Sequence, residues 1–483
     1  MRFNNNFDKL RAYLTDNKTR HTQRIQQLVQ QPSVSTEDFG VNECAQLLVE
    51  FHKELGCQES TLIPTEGLPG LWAYYDAGAP RTIVVYANFD TRPVLPSEQW
   101  EHPPFGGHLT SHDSYQTVLV GRGAFAYKGP YVAWLNALET LIAVEGTLPV
   151  NVMTLLEGDE IMGSPGFLGM FNTYRDRLAT AQASFSPGAA QDGAGRASVN
   201  LGYKGMIFAD IICDGARWGR GPQSGPLHGM TKSVIDSPVW HLVHALSTLT
   251  EPDGNTISVE GFNDGLTSPS EREREWALDY AKNTSSNGWN RMLPGVASAK
   301  VPAGDLPEEE TVMNFFYGPS LNINGLKAGF TGPGTLPFSL PSEASARIDL
   351  RIPRGMKADL VVNQFRSHLD KQGYPDIELR VMGAFDPSTT SPDSTLVKSI
   401  VHSFEEMDVP LFMSPGTGAG GPWSLYASEL GMPVIRNVGL GAGGNSAGPN
   451  EFMVIDGTEV VGGLVECELS HISMLKSYAT ESE

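Results

Sequence analysis

Apolar positions along the chain follow two alternating patterns. In residues 7–30, Leu10, Leu14, Ile25 and Leu28 lie among the apolar positions of an amphipathic helix. In residues 41–55, Cys44, Leu47, Leu48, Phe51 and Leu55 repeat at the helical period and predict a second. Thr82-Ile83-Val84-Val85-Tyr86-Ala87 is a short β-branched run and predicts a strand buried on both faces, and Val150 to Leu156 predicts another. Between them residues 130–144 read as a helix starting at Pro130. Strands alternating with helices in this way imply a largely parallel sheet covered by helices.

The character changes after Gly205. Met206 to Cys213 reads as a strand. Ser237-Pro238 supplies an N-cap and first-turn proline for a helix through Leu249, with Val239, Leu242, Val243, Leu246 and Leu249 as its apolar face. Residues 344–352 alternate, with Ala344, Ala346, Ile348, Leu350 and Ile352 on one face and Arg347, Asp349 and Arg351 on the other. Ile377 to Val381 predicts a further strand. From Ser391 the first pattern returns, with a helix at 395–407, a helix near 423–430, a strand over Pro433-Val434-Ile435-Arg436-Asn437-Val438 and a closing helix at 457–477. The simplest account is an α/β domain, residues 1–206 and 386–483, interrupted by a smaller α+β domain at 207–385. Residues 293–311 are predicted to be a long loop.

A chain of 483 residues is too long for one compact core, which supports two domains. The net charge of −21 repels phosphate backbones and excludes nucleic acid as an expected partner. Cys44, Cys57, Cys213 and Cys467 are scattered, with no C-x-x-C pair, which fits a reducing compartment. The N-terminus has no apolar stretch of signal length, and no window approaches a membrane span. A cytoplasmic location is expected.

Four segments carry candidate chemistry. They are Tyr86-Ala87-Asn88-Phe89-Asp90-Thr91-Arg92-Pro93-Val94, then Gly121-Arg122-Gly123-Ala124-Phe125-Ala126-Tyr127-Lys128-Gly129, Glu157-Gly158-Asp159-Glu160-Ile161-Met162-Gly163-Ser164 and Ala447-Gly448-Pro449-Asn450-Glu451. In order and spacing the chain resembles the M20 metallopeptidases, especially the carnosinase-like dipeptidases. These write the segments as Y-G-H-x-D-x-x-P-V, G-R-G-a-s-D-x-K-G, E-G-x-E-E-x-G-S and H-x-x-N-E. Pro319-Ser320-Leu321-Asn322-Ile323 and Arg351-Ile352-Pro353 resemble segments of that family's inserted lid.

The resemblance implies a dinuclear zinc site held by a His, a bridging Asp, the second Glu of a pair, an Asp after the next strand and a final His. Here those positions hold Asn88, Ala126, Ile161, Ser186 or Pro187, and Ala447. Alanine and isoleucine offer no ligand atom, and zinc is held by thiolate, imidazole and carboxylate. Neither metal nor other cofactor is therefore expected. The family's lid His, which reaches across a dimer, is replaced by Gln223, with His228 five residues on. Retained are Asp90, which in the family orients the first His; Glu160, its general base; Arg351, its carboxylate-gripping lid arginine; and Gly418, Ala419 and Gly420 of its pocket loop. Each has a plainer reading. Asp90 could cap a turn, Glu160 could pair with Lys128, Arg351 could pair with Asp349, and the glycines could serve positive φ.

Three functions follow. The first is a metal-independent enzyme on a small amino-acid- or peptide-like carboxylate. Glu160 would be its general acid or base, Asp90 would stand beside it, and Asn88, Gln223 and Ser164 would be neutral hydrogen-bonding groups. The second is a non-catalytic ligand- or partner-binding protein. The third is a zinc hydrolase with relocated ligands, for which His108 and His112, spaced i, i+4, are the candidate pair. A homodimer through the inserted domain is also expected.

Overall fold

The computed structural model describes residues 7–284, 307–332 and 339–481. Its main strands, in chain order, are β1 (Glu59–Ile63), β2 (Gly70–Tyr75), β3 (Thr82–Asn88), β4 (Asn151–Glu157), β5 (Ala183–Pro187), β6 (Gly205–Asp214), β7 (Ser320–Ala328), β8 (Glu343–Ile352), β9 (Glu378–Phe385) and β10 (Val434–Val438). One sheet has the order β1-β2-β4-β3-β5-β10. Its β4–β3, β3–β5 and β5–β10 pairings are parallel, while β1 and β2 form an antiparallel flank. β3 and β4 are buried along their whole length, as their continuous apolar runs require.

Helices α1 (Asp8–Gln30), α2 (Val41–Leu55) and α3 (Lys128–Glu145) cover this sheet together with a long C-terminal helix, α4 (Leu464–Thr480). α3 is buried on almost every side, because α1, α2, α4 and β5 all pack on it. Where α1, α3 and α4 meet, the Glu468 carboxylate bonds His21 Nδ1 at 2.9 Å and accepts from Asn136 Nδ2 at 2.8 Å, with His21 and Glu468 fully buried. α4 begins later than position 457, since Gly457 and Gly463 pack against backbone in a tight loop first.

A second domain is built on the antiparallel sheet β7-β8-β6-β9. The alternation in 344–352 places Ala344, Ala346, Ile348, Leu350 and Ile352 in its core. The helix capped by Ser237 spans Pro238–Leu246 and packs on β6 and β8, its turn closing by Leu249. Of the loop predicted at 293–311, residues up to 306 lie outside the described residues. Its last residues instead begin a helix, Glu308–Tyr317, where consecutive acids occupy the first turn.

Candidate active site

The C-terminal ends of parallel strands are where open α/β sheets place ligands, and here they face the second domain across a cavity of about 660 Å³. From the first sheet come Glu160 and Ile161, in a short 3-10 turn just after β4, and Arg436 of β10. From the second come Met206, Phe208, Asp349 and Arg351. Gly418, Ala419 and Gly420 close one side.

Two carboxylates tie the motif loops together. Asp90 accepts from Ile161 N at 2.9 Å and from Asn88 Nδ2 at 3.1 Å, joining the first segment to the third. Glu451 accepts from Gly123 N at 3.0 Å, Phe125 N at 3.0 Å and Ala126 N at 2.6 Å, joining the fourth to the second. The loop between these anchors is strained. Tyr127 holds φ 83°, ψ −51° at the start of α3, an unusual conformation for a side chain of this size.

The interior is crowded with acids. Burial raises the Glu160 pKa to about 7, and the Asp90 charge adds to this, while Arg436 and Arg351 oppose it. Asp159 is pushed up to about 6, again by burial first and Asp90 second. Burial also lifts Glu157 well above the carboxylate range, and the Tyr86 hydroxyl donates to it. The Arg436 guanidinium lies 3.6 Å from the centre of the Trp423 ring, with Tyr127 at 5.3 Å and Tyr86 at 5.6 Å. Its buried Nε has no hydrogen-bond partner.

Glu160, Arg351, Gly418, Ala419 and Gly420 thus share one cavity, and Asn88 and Asp90 are buried behind Ile161. The plainer readings fare unevenly. Lys128 does not pair with Glu160; its ammonium donates to Leu28 O at 3.3 Å and Gln31 O at 2.6 Å. Arg351 does pair with Asp349, at 2.8 Å, while still lining the cavity. The glycines of the loop have no positive φ. Gly420 is required because a Cβ there would sit 2.2 Å from Lys204 O. Ser164 is buried with φ 59° and an unpartnered hydroxyl, outside the cavity lining. Gln223 is elsewhere in the second domain, exposed, donating to Gly215 O and Gly221 O at 3.0 Å each.

Sequence reasoning missed Arg436, although it was legible as the one charge in an apolar strand. Among the described residues, one set of three His, Cys, Asp or Glu ligand atoms converges closely enough to hold an ion, and it lies in the second domain, not in the cavity. His108 and His112 sit on an outlying strand, where His108 stacks on His102 and His112 packs tilted against Phe452 at 4.5 Å. No helix among the described residues is long and apolar enough to cross a membrane.

Known proteins share this framework. A Cys-Gly metallodipeptidase of Candida albicans is 25% identical over 452 residues, 86% of this chain and 87% of its own. The human Beta-Ala-His dipeptidase is 26% identical over 60% of this chain and 53% of its own. An M20 family metallo-carboxypeptidase of Sulfolobus solfataricus superposes with a TM-score of 0.81 at 26% identity, covering 95% of this chain and 99% of its own. The dipeptidase Dug1p of Saccharomyces cerevisiae superposes with a TM-score of 0.78 at 19% identity, covering 98% and 99%, a likeness of fold. The model of peptidase family M20/M25/M40 matches residues 84–464, the greater part of the sequence, and the chain belongs to that family.

Proposed function

We propose that this family member acts on a small amino-acid- or peptide-like carboxylate, with Glu160 moving the proton and no dinuclear zinc centre in the cavity. The observation that carries the reading is a carboxyl group with a pKa of about 7 opening into a cavity with two guanidinium groups, Arg351 and Arg436. Such a group is poised to take and return a proton near neutral pH. Support for a metal-free site comes from Asn88, Ala126, Ile161, Ser186 or Pro187, and Ala447 at the ligand positions. That donor set does not fit zinc. Arg436, held over Trp423, is a fixed cation on the same wall.

In this reading Arg351 grips the substrate carboxylate and Arg436 faces the reacting carbonyl oxygen. Glu160 accepts a proton from the attacking water or amine and delivers it to the leaving nitrogen. Gly418 to Gly420 let the substrate lie against backbone. The names of the relatives suggest dipeptides as the first substrates to try. The Arg351–Asp349 pair favours one alternative, a non-catalytic ligand-binding protein in which that arginine is already neutralised.

The test is metal analysis of the dialysed protein beside incubation with dipeptide and N-acyl amino-acid pools read by mass. Product formation that survives a strong chelator is expected. Two tightly held zinc ions per chain, or activity lost to the chelator and restored by zinc, would overturn the reading.

We also propose that residues 1–206 and 386–483 form one domain and 207–385 an inserted one. In support, the second sheet takes all its strands from 205–385 and has its own apolar core. A homodimer through the inserted domain is proposed on its exposed Trp240, Val243 and Leu326. A reducing compartment is proposed on the four unpaired cysteines.

A further inference from the structure

The second domain brings together a thiol, an imidazole and a carboxylate that no part of the cavity uses. Cys213 is the last core-facing position of β6, after Ile207, Ala209 and Ile211. It lies roughly 20 Å along the strand from the cavity residues Met206 and Phe208. His241 projects from the helix Pro238–Leu246 that packs on β6. Asp376 stands in the turn before β9, whose Glu378 pairs with Ile212. One ligand atom from each residue falls within 4.8 Å of the others.

The imidazole is held in place. It stacks on Trp218 at 4.0 Å and 18°, with Tyr374 at 5.0 Å, and its Nε2 lies 3.0 and 3.2 Å from the two Asp376 oxygens. The Cys213 side chain is fully buried, while the His241 and Asp376 side chains are 13% and 16% exposed, so the trio opens to solvent on one side.

We propose that Cys213, His241 and Asp376 bind one zinc-class divalent cation, with water as the fourth ligand, pinning helix to sheet. Sulfur, nitrogen and carboxylate oxygen are zinc's preferred donors. With bonds of about 2.3, 2.0 and 2.1 Å, a tetrahedral ion keeps its ligand atoms about 3.5 Å apart. The trio reaches that spacing by side-chain shifts of roughly 1 Å. Without a cation, burial pushes the Cys213 thiol up to about 12, helped by Asp376 and Asp214. Binding therefore displaces the thiol proton to solvent as the sulfur–metal bond forms.

The probe is Co²⁺ added to the dialysed full-length protein, followed by zinc. One equivalent of Co²⁺ is expected to bind with a thiolate-to-cobalt charge-transfer band, release protons and be displaced by zinc. Cys213→Ala should abolish the band, and His241→Ala should weaken binding about 100-fold or more. Absence of the band in the unmodified chain, or its persistence in Cys213→Ala, overturns the site. Should Cys213→Ala fail to fold, Asp376→Asn decides. It can still hydrogen-bond His241, so the fold should hold while affinity falls about 10-fold or more, and unchanged affinity overturns the proposal. Metal retained by Cys213→Ala with its affinity unchanged and no thiolate band in either protein lies elsewhere and overturns this site. If it amounts to two ions per chain, it counts against the metal-free cavity as well.

Discussion

In the proposed mechanism the chemistry turns on two side chains, Glu160 and Arg436. Glu160→Gln should keep the fold and ligand affinity but lower kcat by about 10²–10⁴, the range for a positioned acid or base. An unchanged rate on an identified substrate would remove Glu160 from the mechanism. If Glu160 acts as a base, kcat/KM should climb as pH rises through about 7. Stability should move the other way. The folded pKa lies above the ordinary 4.5, so the fold holds this proton more tightly than the unfolded chain does. That contribution is complete below about 4.5 and lost as pH rises through about 7. Glu160→Gln should therefore raise Tm relative to the parent at pH 8 and leave it nearly unchanged at pH 4; equal shifts at both values would contradict the pKa. Arg436→Lys keeps the charge but loses the planar stack on Trp423 and the fork geometry. A rise in KM of about 10-fold or more is expected, with CD unchanged; an unaltered KM would show that Arg436 does not touch substrate.

At the scale of elements, much of the framework was legible because burial and periodicity coincide. β3 and β4 are continuous apolar runs, β8 alternates, and Ser237-Pro238 marks a helix start, and each became the element its pattern predicts. The misses have physical causes. The closing helix starts seven residues after position 457, because glycines packed against backbone are invisible to a periodicity count. Arg436 hid in a strand read for its apolar neighbours, since aromatic stacking with Tyr86, Tyr127 and Trp423 depends on contacts across four segments of chain. The plainer reading of the pocket glycines is positive φ, whereas close approach is the reason at Gly420. This yields a paired test by denaturant unfolding. Gly420→Ala drives a Cβ to 2.2 Å from Lys204 O and should cost about 1–3 kcal/mol. Gly418→Ala meets only the Phe315 ring edge at 3.4 Å and should cost far less. Equal losses would refute the distinction.

At the scale of the whole molecule, the second domain leaves Trp240 59%, Val243 41% and Leu326 64% exposed. Light scattering at micromolar concentration should report a dimer, and Trp240→Glu with Leu326→Arg should shift it toward monomer; a monomeric parent protein would refute the interface. The late arrival of β10 bears on biosynthesis. The strand that completes the first sheet beside β5, and the helix that brings Glu468 to His21, both follow the whole second domain in the chain. A ribosome adding about 5–20 residues per second leaves the β5 edge and the inner faces of α1 and α3 uncovered for an interval on the order of tens of seconds. During that interval the nascent chain presents an unpaired, apolar parallel edge, the kind of surface that recruits other chains. Yield in a cell should therefore depend on chaperone supply and growth temperature more than the stability of the finished protein would suggest.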